Sequence, residues 1–264
     1  MKPDFKLYTM EEAKEKGIPF AQQDPKTCEY CGRQLEQLGT IASDGFVRWL
    51  FAKECDCEGK MAEIARIQAE EDRAREEAAK KRAIERCRSA GIGKLYLNAE
   101  ISEPACIRYV NGFADANGKG LYLLGGVGAG KTHEACALAK AFLFSGYSVK
   151  VTTTLAMLNS IHSTYDGAKN DDVMAFCRAD VLFLDDLGKE NANSWAMTTL
   201  FEVINYRYEN MLPTIFTSQY GLDSLERRLS RSSEVESAKA IVSRIAQMSQ
   251  IVMLKHTDRR RQKN

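Results

Sequence analysis

Residues Gly125 to Thr132 spell Gly-Gly-Val-Gly-Ala-Gly-Lys-Thr, with the apolar run Leu121-Tyr122-Leu123-Leu124 in front and a helix-period run, Ala135, Leu138, Ala139 and Phe142, behind. A strand, a glycine loop and a helix in that order make a phosphate-binding loop. The glycines let backbone N–H groups converge on phosphate oxygens, the Lys131 ammonium adds a point charge, and the Thr132 hydroxyl can ligate Mg²⁺. The helix that follows aims its N-terminus at the same anion. The nucleotide-binding candidates are Gly125, Gly126, Val127, Gly128, Ala129, Gly130, Lys131, Thr132 and His133, the last through its backbone N–H. A bare glycine turn is the bland alternative, and the order of the flanking runs argues against it.

Short apolar runs bounded by turn signals recur down the chain at Leu121–Leu124, Val149–Thr153, Val181–Leu184, Thr214–Thr217 and Ile251–Leu254. Helical patterns fill the intervals at His133–Phe144, Leu155–Tyr165, Asp172–Cys177, Ser194–Asn210 and Glu236–Met248. Such runs read as buried parallel strands, so the expected fold class is α/β: a P-loop doubly wound parallel sheet with nucleotide at the carboxyl ends of its strands. The run Val181-Leu182-Phe183-Leu184 ends in Asp185 and Asp186, where a nucleoside triphosphatase places its Walker B acid. One carboxylate there can hold Mg²⁺ and the next can polarise the attacking water. Asp185 is assigned to the metal and Asp186 to the water. Thr217-Ser218-Gln219 closes another run, and Gln219 or Ser218 can orient that water if its strand neighbours the strand of the phosphate loop.

Four of the eight cysteines cluster as Cys28, Cys31, Cys55 and Cys57, a C-x₂-C and a C-x-C pair separated by 23 residues. Tetrahedral Zn²⁺ bound by four thiolates needs two short-range pairs brought together. Gly32 permits the tight turn of a zinc knuckle, and the shorter second pair leaves strain or a different ligand open. Residues 1–60 are too few to stand on hydrophobic burial alone, and a bound metal would stabilise them. Residues 61–90, dense in Ala, Glu, Arg and Lys, read as a solvated helical connector with pairs such as Glu77 and Lys81. Residues 91–264 then form the nucleotide domain. The formal charge of +1 leaves no global basic field, so nucleic-acid contacts must come from local patches. The basic tail after Lys255 is one such patch, or else a solvated terminus. With no apolar stretch of membrane-spanning length and no signal-peptide pattern, a cytoplasmic location is expected.

Gly125–Thr132, Val181-Leu182-Phe183-Leu184-Asp185-Asp186-Leu187-Gly188, Pro213–Gln219 and Ala240-Ile241-Val242-Ser243-Arg244-Ile245 together resemble the AAA+ ATPases of the DnaC/DnaI helicase-loader group. The related IstB transposition ATPases share most of these motifs, and Ala90–Ala99 resembles the segment before the ATPase core of loaders. The resemblance implies an ATPase that uses ATP and Mg²⁺, with Lys131, Asp185, Asp186, Gln219 at sensor 1 and Arg244 at sensor 2 as its catalytic set. It also implies a replicative helicase and single-stranded DNA as partners, and a homo-oligomer when ATP or helicase is bound. N-terminal zinc modules occur in DnaI-like loaders, which favours a loader over an IstB-like protein acting on target DNA. Two departures stand out: Gln219 replaces the usual Asn, and Ala240 stands where an arginine finger is expected. Because such a finger is worth about 10³–10⁵ in rate, the second departure predicts a slow ATPase, or a nucleotide-gated adaptor, unless Lys239, Arg227, Arg228 or Arg231 substitutes.

Overall fold

Two cysteine pairs far apart in sequence can meet only if the chain between them turns back, and a hairpin does this. In the computed structural model, β1 (Gln37–Ile41) pairs antiparallel with β2 (Val47–Ala52), with a bulge between Leu38 and Gly39. The turn between them is closed by the Asp44 carboxylate, which accepts from Phe46 N–H at 3.1 Å. Ahead of the hairpin lies a short helix, α1 (Met10–Glu15), started by a capping box in which Thr9 and Glu12 exchange hydrogen bonds. The hairpin carries little core: from residue 6 to residue 57 the buried apolar side chains are Ala13, Cys28, Val47 and Cys55.

The structure describes residues 6–163, 171–190, 193–232 and 235–255, and it divides into two units, residues 1–80 and 81–264. The basic tail from residue 256 onward lies outside the described residues. The boundary between the units falls inside one helix, α2 (Glu58–Ser89), in which Cys87 is the buried residue. A helix polar all round is held by its own backbone and by short-range pairs such as Arg66 with Glu63 at 3.0 Å. No helix among the described residues is long and apolar enough to cross a membrane.

The second unit opens with α3 (Pro104–Asn111) and then alternates: β3 (Gly120–Leu124), α4 (Lys131–Phe144), β4 (Val149–Thr153), α5 (Thr154–Ser163), α6 (Asp171–Arg178), β5 (Val181–Asp185), α7 (Ser194–Glu209), β6 (Thr214–Ser218), α8 (Leu222–Leu229), α9 (Val235–Met248) and β7 (Ser249–Met253). The sheet order is β4-β5-β6-β3-β7, and every pairing is parallel. Period-two alternation splits its side chains between two cores. Leu121, Leu123, Val181, Phe183, Ile215 and Val252 pack with α4 on one face, while Tyr122, Leu182, Leu184 and Phe216 pack with α5, α7 and α9 on the other. This is the doubly wound α/β sheet expected from the sequence. The last strand begins and ends slightly earlier than its apolar run, at Ser249–Met253, and α3 and α8 were not anticipated.

One polar group ties this unit together. The fully buried Arg207 guanidinium donates to the carbonyls of Phe176, Cys177, Ala179 and Pro213 and to the Thr214 hydroxyl. It therefore caps the end of α6 and fixes the start of β6.

Candidate nucleotide cleft and cysteine cluster

Because β3 pairs with both β6 and β7 while β5 pairs with β6, the loops after three parallel strands open on one edge of the sheet. After β3 comes the phosphate loop. Gly128 and Gly130 hold φ of +79° and +88°, a left-handed backbone that glycine adopts without strain. The Lys131 ammonium donates to the carbonyls of Gly125 and Gly126, both at 2.9 Å, so the charge is folded back over the loop.

Asp185 ends β5 and faces this loop. The Thr132 hydroxyl donates to it at 2.9 and 3.1 Å, which brings together the hydroxyl and the carboxylate that a shared Mg²⁺ requires. These two residues fit such an ion. The Thr217 hydroxyl on β6 also donates to Asp185 and accepts from the Asp186 N–H at 3.0 Å. Sequence reasoning passed over Thr217, although the polar end of its strand was the available signal. Burial raises the Asp185 pKa above its ordinary value, with the two threonine hydroxyls opposing and the neighbouring Asp186 adding to the rise. A raised folded pKa means that ionised Asp185 costs stability at neutral pH, and that this cost is relieved as pH falls through the folded value. Asp185→Asn is therefore expected to raise the melting temperature of the protein without nucleotide, with the gain over wild type shrinking as pH is lowered. A thermal melt series across pH checks this.

Asp186 adopts φ +60°, and its carboxylate pairs with Lys189 at 2.9 Å. The turn that carries both is pinned on several sides. Leu187 N–H donates to the Thr217 carbonyl at 2.9 Å, Gly188 N–H donates to buried Glu190 at 2.9 Å, and Arg228 donates to the Gly188 carbonyl. Asp186, Lys189, Gln219, Lys131, Thr132 and His133 line one cleft of about 570 Å³, large enough for a nucleotide. Leu95, Tyr96, Asn98 and the loop residue Val127 line the same cleft. Leu95, 83% exposed, and Val127, 67% exposed, are the two most exposed large apolar side chains among the described residues, so the cleft offers apolar surface to a ligand.

The structure does not bring every expected residue to this cleft. Ser218 is fully buried and donates to the Leu187 carbonyl at 2.7 Å, so it cannot orient a water, and Gln219 alone of the two reaches the cleft. Arg244, expected at sensor 2, does not line this cleft. Its Nε donates to Asn205 on α7 at 2.7 Å, and its guanidinium lies over the rings of Phe201 and Tyr208 at 4.7 and 5.7 Å. The packing of α9 against α7 decides that direction. Of the other cations weighed for the missing finger, Arg228 is held by the Gly188 carbonyl and the Tyr220 ring, and Lys239 by Glu236 at 3.5 Å.

In the first unit the four thiols converge. Cys28 and Cys57 lie 3.7 Å apart, Cys31 and Cys55 3.5 Å apart, and all four sulfur atoms lie within 4.8 Å of one another. A tetrahedral ion with Zn–S bonds of about 2.3 Å sets its sulfurs about 3.8 Å apart, so the cluster fits Zn²⁺, including the short C-x-C pair. Backbone N–H groups of Tyr30 and Cys31 lower the Cys28 thiol pKa to about 7, while, against the Cys57 backbone N–H, burial and the neighbouring thiols push Cys55 up to about 12, so the cluster without a metal favours a single thiolate. Gly32 takes φ +71°, the knuckle turn expected of it. By contrast Cys87, Cys106, Cys136 and Cys177 are separate and buried.

Comparison with known proteins places the second unit. The family profile "IstB-like ATP binding protein" matches residues 90–264. The replicative helicase loader DnaI of Bacillus subtilis is 28% identical over 183 residues, which are 64% of this chain and 59% of that protein. An insertion-sequence protein of Pseudomonas fluorescens named for ATP binding is 36% identical over 100 residues, 38% of this chain and 43% of that protein. The chain thus spans about half the length of these curated relatives. A crystal structure of DnaI superposes with a TM-score of 0.54 at 25% identity, covering 62% of this chain and 95% of that one. With a P-loop sheet of this order and a family match over most of its length, the chain belongs to the IstB-like ATP-binding proteins, with an AAA+ core of the DnaC/DnaI type.

Proposed function

We propose that this protein is an ATP-dependent loader of a replicative helicase in replication initiation, engaging helicase through the cysteine module and single-stranded DNA through the AAA+ unit. The observation that carries this reading is the four-thiol cluster standing ahead of a core like that of DnaI. In the cleft, Lys131 and the backbone of residues 125–133 hold the phosphates, and the base lies against Leu95 and Val127. Thr132 and Asp185 would hold Mg²⁺, which when bound neutralises charge on the phosphate oxygens. Asp186 polarises the water that attacks the γ-phosphorus and accepts its proton as ADP leaves, and Gln219 orients that water. ATP binding orders a homo-oligomer, and hydrolysis releases it.

The test is association with the cognate replicative helicase, using the full chain and a Cys28→Ser/Cys31→Ser variant. Helicase is expected to co-purify with the intact protein and to be lost from the variant. No association with either would sink the reading. The family match and the insertion-sequence relative favour a second reading, an IstB-like ATPase acting on target DNA. ATP-dependent filaments on duplex DNA, with no affinity for helicase, would select it.

A further inference from the structure

Glu134 stands on α4, two residues beyond Thr132, at a position where a carboxylate would ordinarily face water. It is 2% exposed instead. Its carboxylate accepts from Ser102 N–H at 3.0 and 3.2 Å, from the Ser102 hydroxyl at 2.9 Å, and from Glu103 N–H at 2.8 Å. Further along the same helix, Lys140 donates to the Ala99 carbonyl at 2.8 Å. The segment tied down by these bonds is the one carrying Leu95, Tyr96, Asn98 and Ala99, which line the same cleft as Gly128, Gly130 and Lys131 of the phosphate loop.

A single helix therefore serves two parts of the site. Its first turn carries Lys131 and Thr132 of the phosphate loop and also Glu134, which holds Ser102 and Glu103, while Lys140 further along holds Ala99. A short irregular segment such as residues 94–103, with one 3₁₀ turn at Lys94–Tyr96, has few backbone bonds of its own to fix its distance from the loop. Charge-assisted hydrogen bonds to a buried carboxylate are short and directional, and they set that distance.

We propose that Glu134 is a positioning residue for nucleotide binding: it holds the base-side wall in register with the phosphate loop, so that affinity gained from the base depends on it. This rests on the reading of the cleft as an ATP site. Residues that touch phosphate are unaffected by its loss, whereas the wall is free to move. The role therefore predicts a split between ligands that have a base and ligands that do not.

Titration calorimetry with Mg²⁺·ATP and with Mg²⁺·triphosphate, on wild type and Glu134→Ala, measures the split. The variant is expected to lose about tenfold or more in ATP affinity while triphosphate affinity stays within about twofold. Glu134→Gln, which keeps one acceptor oxygen, is expected to fall between. Equal loss for both ligands would mean that Glu134 merely supports the fold, and no loss for either would mean that the wall does not need it; each overturns the proposal. If Glu134→Ala does not fold, Lys140→Met removes a single tie to the same wall and should show a smaller loss for ATP only. Wild type that binds neither ligand would instead remove the cleft reading itself.

Discussion

Asp186→Asn is expected to lower ATP turnover by about 10²–10⁴-fold, the usual worth of a positioned general base, while leaving ATP affinity within about twofold. The separation follows from the geometry. Asp185, not Asp186, receives the Thr132 hydroxyl at the phosphate loop, and Asp186 faces the cleft on the far side of the β5 turn, paired with Lys189. Asparagine also suits the backbone: Asn is among the few residues that enter the left-handed region readily, so φ +60° is retained without new strain. Loss of the exposed pair with Lys189 costs little stability, since such pairs are worth about 0–1 kcal/mol. Phosphate release under saturating ATP, set beside equilibrium binding of the same variant, checks the expectation. Unchanged turnover would reassign the water to Gln219 or to a residue supplied by a neighbour. Low turnover in wild type as well, with tight binding, would favour the nucleotide-gated adaptor that Ala240 and Gln219 suggest.

The second large effect concerns the metal. Purified protein is expected to carry one zinc per chain, and chelation or Cys31→Ser is expected to unfold the first unit while the second still binds ATP. With Ala13 and Val47 as the buried apolar residues beside two of the thiols, hydrophobic burial in that unit is slight. Structural zinc in comparably small modules contributes apparent binding free energies of about 10–16 kcal/mol near neutral pH, more than such a core can replace. Metal content by mass spectrometry, with two-dimensional NMR before and after chelation, reads the result. Dispersed resonances from the first unit that survive a strong chelator would overturn it.

Much of the site was legible because its chemistry is local. The glycines of the phosphate loop, Thr132 and Asp185 are placed by a strand end or a helix start that their own neighbours encode. The parallel pairing of β3 with β6 met the condition on which Gln219 depended. The cysteine pairs were legible as pairs, but the hairpin that closes them was not, since Gly39, Val47 and Trp49 carry its register only through tertiary contacts. The neighbours of Arg244 were not legible because a helix pattern tells which residues face inward and not which neighbour they meet, and α7 offers it two aromatic rings and an amide. Ser218 was misjudged in the same way: a polar residue at a strand end can serve the turn beside it as readily as a ligand. Glu134 was passed over because a glutamate in the first turn of a helix looks solvated until the segment it anchors is seen.

The left-handed backbone at Asp186 has a consequence for reading relatives of this protein. Aspartate, asparagine and glycine are among the residues that enter this region most readily, and of the three only aspartate brings a carboxylate. A change to glycine or asparagine is therefore tolerated by the main chain while it removes the group assigned to the water. A homologue that keeps Lys131, Thr132 and Asp185 but carries Gly or Asn at the position of Asp186 should be a chain that still clasps ATP and has given up splitting it, and its identity as a timer or as a clamp could be told from that single letter.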